Sequence, residues 1–132
     1  MNLNETGAAW APRVLSLLRI MTGLVLLQHP LSKLFGFPAS NFMPAVGTLP
    51  WIASLFEIVG APLLILGLFT RPVAFILAGL MACAYFIGHQ FGARPSFYPQ
   101  LNGGSLAIMY CFVCLYIACA GPGPWSVDAT RK

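Results

Sequence analysis

The chain has 132 residues, of which 58% are hydrophobic and only 8% are charged, with a formal net charge of +4. A soluble domain carries roughly 25% charged residues, so a soluble fold of this size is excluded, and the composition assigns an all-α integral membrane protein. The seven Lys and Arg are spread along the chain. That argues against a nucleic-acid surface, which needs basic residues clustered on one face.

Residues 1–12 read as an N-terminal tail. They carry Glu5 and no Lys or Arg, so the basic n-region of a cleavable signal is missing. The first span is expected over residues 13–29, with Pro12 opening it and Pro30 closing it. Residues 31–50 hold Pro38, Pro44, Pro50, Gly36 and Gly47, breakers that predict a loop, interfacial or re-entrant. The second span covers residues 51–69, and Thr70-Arg71-Pro72 reads as a tight turn. The third covers 73–91, followed by a polar loop with Arg94, Pro95 and Pro99. The fourth covers 103–120 and is stopped by Gly121-Pro122-Gly123-Pro124, a run that needs no role beyond ending the helix. The result is a four-helix transmembrane bundle over 13–121 with a short tail at 122–132. Arg13, Arg71, Arg131 and Lys132 fall on one side and Lys33 and Arg94 on the other. Basic residues favour the cytoplasm, so both termini are expected there, in a bacterial inner membrane.

Charges within spans are costly and mark functional sites by default. In span two, Glu57 shares a helical stripe with Ala53, Gly60 and Gly67, and small residues let membrane helices approach. In span one, Arg19, Thr22, Leu26, His29 and Lys33 follow steps of three and four. Ala78, Ala82, Tyr85 and His89 share a face of span three, and Gly104, Ala107, Cys111, Cys114 and Ala118 a face of span four. At 1.5 Å per residue, Arg19 lies roughly 15 Å below His29 and Glu57 roughly 9 Å below Trp51. A buried Arg19–Glu57 ion pair is therefore expected, the alternative being a neutral Glu57 with Arg19 reaching the cytoplasmic interface. His29, Lys33, His89 and Asn102 should converge at the outer end, with Glu57 as an acidic floor and Tyr85, Phe86 and Trp51 as a wall.

Cys111-Phe-Val-Cys114 resembles a redox pair. A reactive pair sits at a helix N-terminus, where the dipole lowers the thiol pKa; this one lies inside an apolar span and is read as packing. His29 and His89 could ligate haem, anchor an interface or handle protons near neutral pH. The surroundings lack the Cys or Asp that would complete a zinc site, so no metal is assigned. Lys33 reads as an anion-attracting group or a snorkelling residue. The Asn102-Gly-Gly start of span four reads as an anion seat on free N–H groups or as plain capping by Asn102.

The order of Leu18-Arg19-Ile20, His29-Pro30-Leu31-Ser32-Lys33-Leu34, Glu57-Ile58-Val59-Gly60, Gly67-Leu68-Phe69-Thr70-Arg71, His89, Asn102-Gly103-Gly104 and Gly121-Pro122-Gly123-Pro124-Trp125-Ser126-Val127-Asp128 resembles the DoxX family of small four-helix membrane proteins. Two positions depart from its pattern: Pro30 stands where glycine is usual, and Ser105 where a glutamate often follows the paired glycines. The second removes an acidic group from the outer pocket. The resemblance implies a redox-associated component, some relatives resembling membrane subunits of thiosulfate:quinone oxidoreductases. On that reading Glu57, His29 and His89 are the catalytic candidates, and Arg19, Lys33, Tyr85, Asn102 and Gly104 bind a quinone head group or a small sulfur oxyanion. The chain has no cofactor fingerprint of its own, so quinone is the one cofactor to consider. Its partners are the bilayer, no nucleic acid, and a redox subunit or further copies of itself. The rival expectation is a non-catalytic membrane subunit or assembly factor. Transport through the polar core is a weaker option, because internal repeat symmetry is lacking.

Overall fold

In a bilayer every backbone polar group must find its partner inside the chain, which leaves helices as the spanning elements here. A computed structural model of the chain describes residues 1–131, and these are helical with no strand. Lys132 lies outside the described residues. Helix α1 runs Leu3–Phe35, α2 Leu49–Leu66 and α3 Thr70–Cys83, the last continuing as a π-helical segment Ala84–Gln90. A short α4, Pro99–Asn102, precedes α5, Ser105–Ala120, and α6, Val127–Thr130, closes the chain. Three stretches, Leu3–Phe35, Leu49–Leu66 and Thr70–Gln90, are long and apolar enough to cross a membrane. The apolar α5 has 16 residues, about 24 Å of helix.

Helix α1 packs extensively on α2, and α3 on α5. The α2–α3 contact is smaller, and α1 touches α5 at few points. The core is Leu26, Ala61, Leu64, Ala74, Leu77, Ala78, Met81, Tyr110, Cys114 and Ile117. Close approach is set by glycines: a Cβ on Gly23 would meet the Ala61 carbonyl and Ile65, and one on Gly60 would meet Leu77. The outward faces carry exposed Leu, Val, Phe and Met along each helix, as a lipid-facing surface requires.

Helix α1 differs most from its sequence-based expectation. Pro12 and Pro30 both lie inside it, where proline was expected to open and close a span. Proline removes an N–H and usually breaks a helix in water. In a bundle the helix continues, because a broken backbone in lipid would cost more polar groups than one proline does. Pro30 is buried against the neighbouring helices, and α1 ends at Gly36, whose left-handed φ of 71° suits glycine. The turn between α2 and α3 falls at residues 67–69 rather than 70–72: Gly67 and Phe69 both have positive φ, 69° and 51°.

The Gly-Pro tail folds back over the end of the bundle that carries both termini. Arg19, fully buried, reaches across and donates from Nε to the Leu64 carbonyl at 2.9 Å and from Nη2 to Ile65 at 3.4 Å and Trp125 at 2.6 Å. Its Nη1 donates to the Pro122 carbonyl. The Trp125 N–H donates to Ser16 Oγ at 3.1 Å. Arg71 donates to the Ala118 and Cys119 carbonyls, closing the C-terminal end of α5. The Asp128 carboxylate accepts from the N–H groups of Phe69 at 3.0 Å and Thr70 at 2.8 Å, capping α3. So the Gly121–Pro124 run does more than end a helix: with Trp125 after it, it presents carbonyls to a buried guanidinium.

Removing Arg19 orphans those carbonyls. Arg19→Met is expected to destabilise the protein by at least about 3 kcal/mol, since hydrogen bonds to charged groups contribute about 1.5–3 kcal/mol each and several are lost together. Thermal unfolding in detergent, with limited proteolysis of residues 121–131, measures it. Asp128 adds a pH dependence. Burial works against its ionisation, but the Thr70 and Phe69 N–H groups and Arg131 outweigh it and hold the carboxyl below its ordinary value. A depressed folded pKa gives stability that is present above the unfolded pKa of about 3.9 and lost as pH falls through the folded value. Asp128→Asn should therefore flatten the loss of stability below about pH 4 while lowering it slightly at neutral pH, as acid titration of the melting temperature will register.

Candidate functional site

Toward the other end of the bundle, α1 and α2 run antiparallel and bring two charges together. Side chains on a helix lean toward its N-terminus. Lys33 on α1 thus leans into the bundle, and Glu57 on α2 leans outward to meet it. Lys33 Nζ lies 3.3 Å from Glu57 Oε2. This overturns the expected Arg19–Glu57 pair. The expectation ended α1 at His29; with the end at Phe35, Arg19 lies roughly 24 Å from it and Glu57 only about 12 Å from the start of α2. Arg19 sits instead level with Leu64, one end of the bundle away from the candidate site.

Glu57 is 4% exposed. It is held between α1 and α2, with Ser54, Gly60 and Ala61 buried along the same face. His29, half-buried on α1, meets Tyr110 of α5 edge to face at 6.0 Å between ring centres. Tyr110 is 7% exposed, and its hydroxyl is buried without a hydrogen-bond partner. Tyr110 was not among the residues singled out from sequence. Its signal was available: it lies next to Cys111 on the small-residue face of span four, a polar tip among Ala107, Cys114 and Ile117. Lys33, Glu57, His29 and Tyr110 form the candidate centre, drawn from α1, α2 and α5.

The remaining predicted residues form a second cluster. Asn102 Nδ2 donates to the Tyr85 hydroxyl at 3.3 Å and to the Ser96 carbonyl at 3.0 Å. The Gly104 N–H donates to Asn102 Oδ1 at 2.8 Å, so Asn102 caps this turn and occupies that donor. A Cβ on Gly104 would strike the Tyr85 ring. His89 lies beside Gly103. Among the described residues no hydrogen bond joins this cluster to the Lys33–Glu57 centre. Of the expected wall, Phe86 faces outward and Trp51 is half-buried. All four cysteines are free; Cys114 is fully buried and Cys111 packs beside it in the core. Among the described residues no group of His, Cys, Asp and Glu could hold a metal.

Apolar grooves open on the helical surface. One, of about 490 Å³, lies between α2 and α3 over Val59, Gly60, Val73 and Leu77. The other, about 240 Å³, lies between α1 and α5 and is lined by Met21, Thr22, Val25, Leu106, Met109, Tyr110 and Val113.

The DoxX family model matches residues 14–90, more than half of the chain. This protein is a member of the DoxX family. An uncharacterized protein of Haemophilus influenzae is 42% identical over 122 residues, covering 90% of this chain and 91% of the relative. The inner membrane protein YphA of Escherichia coli is 28% identical over 136 residues, covering 94% of each. No solved structure matches. The family match spans Arg19, Lys33, Glu57 and His89 and stops before α5, which supplies Tyr110.

The Lys33–Glu57 pair can be tested by a mutant cycle. Lys33→Met should cost about 1–3 kcal/mol, below the 3–5 kcal/mol typical of a fully buried pair, because the lysine side chain is 22% exposed. Adding Glu57→Leu should recover most of that loss. A cycle in which the two changes add independently would remove the pair from the account.

Proposed function

We propose that this DoxX protein is a redox-associated component of a bacterial inner membrane whose polar centre binds a quinone head group or a small sulfur oxyanion. The observation that carries the reading is the Tyr110 hydroxyl, buried and unpartnered beside His29 in the same centre as Lys33 and Glu57. A buried donor left unpaired costs about 1–3 kcal/mol, and an acceptor on a bound ligand would remove that cost. Lys33 attracts the electron-rich or anionic group, Glu57 takes or returns a proton, and His29 shuttles it at the rim. Quinone reduction consumes two electrons and two protons. The protein has no electron carrier of its own in this reading, so a partner subunit oxidising a thiol or sulfur compound supplies the electrons. The excess of basic residues at the end bearing the termini favours that end as cytoplasmic, with the Lys33 end facing outward. His89, Tyr85, Asn102 and Gly104 then shape the neighbouring loop end and contact ligand only if it extends toward α4.

One observation favours a second reading, a non-catalytic membrane subunit. Arg19 shows that this chain spends a buried charge wholly on holding its own backbone. Glu57→Gln separates the two. The proposed function expects the variant at near wild-type levels in the membrane, with co-purifying quinone and thiosulfate binding both at least tenfold lower. Loss of the protein from the membrane, or unchanged binding of both compounds, would favour the structural role.

A further inference from the structure

The two surface grooves differ in where they lead. The larger, between α2 and α3, is floored by Gly60 and Leu77 and meets no polar side chain. A lipid acyl chain fills such a groove without specificity. The smaller, between α1 and α5, is lined in part by Tyr110, the one aromatic residue of the core whose hydroxyl is buried and unpaired among the described residues. Tyr110 in turn contacts His29, four residues before Lys33 on α1. Thr22, on the same wall, donates to the Leu18 carbonyl at 2.6 Å and keeps its oxygen as an acceptor. Helices α1 and α5 touch at few points along this seam.

We propose that the α1–α5 groove is a lateral binding site through which a bilayer-dissolved molecule with a long apolar tail and a carbonyl head reaches the polar centre, the tail lying along Met21, Val25, Met109 and Val113 and the head accepting a hydrogen bond from Tyr110. This rests on the ligand-binding reading of the Lys33–Glu57 centre and narrows it. An aqueous oxyanion gains nothing from a groove lined by methionine and valine, whereas an alkyl or isoprenoid tail exchanges one apolar surrounding for another without a desolvation cost. The carbonyl matches a donor that has no other partner. In this arrangement Tyr110 is a binding residue, and Lys33 and His29 are the nearest groups to the far side of the head.

The test uses the full chain in nanodiscs with a benzoquinone carrying a photoreactive alkyl tail. Illumination and peptide mapping are expected to place adducts on Met21, Val25, Met109 or Val113. Adducts on Leu55, Val59, Val73 or Ile76 of the other groove, or none on either, would overturn the inference. In parallel, Tyr110→Phe should lower retention of the quinone at least fivefold; unchanged quinone retention would also overturn it. If Tyr110→Phe fails to fold, the adduct map on the wild-type protein decides alone. Adducts in the wrong groove together with quinone loss in Glu57→Gln would leave the polar centre standing and remove only the lateral route. Thiosulfate binding without any quinone binding would do the same.

Discussion

Arg19 is the group on which the rest of the structure depends. Lipid gives a guanidinium no water to hydrogen-bond, so its donors must all be met inside the chain. Among the described residues no carboxylate pairs with it directly. Backbone carbonyls serve instead, two from the last turn of α2 and two from the tail after α5. One side chain thereby ties α1, α2 and the C-terminal segment together. It also explains Gly67: a Cβ there would run into the guanidinium and Ser126. The tail, once drawn in, delivers Asp128 to the exposed N–H groups of α3. A single desolvation problem thus organises one whole end of the bundle.

The other end solves the same problem with an ion pair. Lys33 and Glu57 neutralise one another between α1 and α2, but incompletely, since a carboxylate has about four acceptor positions and an ammonium three donors. Spare hydrogen-bonding capacity in a membrane interior is costly in an idle structure and useful in one that binds a polar ligand. Arg19 meets four backbone carbonyls, whereas Glu57 has Lys33 as its one side-chain partner among the described residues, and that contrast distinguishes the holding end of the molecule from its candidate working end.

Which faces turn inward was legible in the sequence; how deep each residue sits was not. The stripe through Glu57, Gly60 and Gly67 follows from helical period and small-residue packing, and the structure buries all three. Depth is hidden because Pro30, a helix stop by its aqueous meaning, lies inside α1. Six further residues of helix, through Phe35, shift Arg19 away from Glu57 and carry Lys33 to it. The Arg19 acceptors could not be read at all, because they are carbonyls: every residue has one, and only the folded path of the Gly-Pro tail shows which four converge. Tyr110 was passed over for a related reason. A lone tyrosine in an apolar span reads as core, and its ring does pack in the core; only the absence of a partner for its hydroxyl sets it apart.

The openness of the α1–α5 seam has its own physical source. Membrane helices approach closely where one side offers a small residue. Gly23 does so against α2, Gly60 against α3, and Gly104 lets the Tyr85 ring lie on the start of α5. Along the facing surfaces of α1 and α5 the seam is instead lined by Met21, Val25, Leu106, Met109 and Val113. Met21, Leu106 and Met109 are at least half exposed there, and methionine adapts to whatever lies against it. The α2–α3 side carries the larger groove, but its lining is wholly apolar. The α1–α5 groove is the one lined by Tyr110.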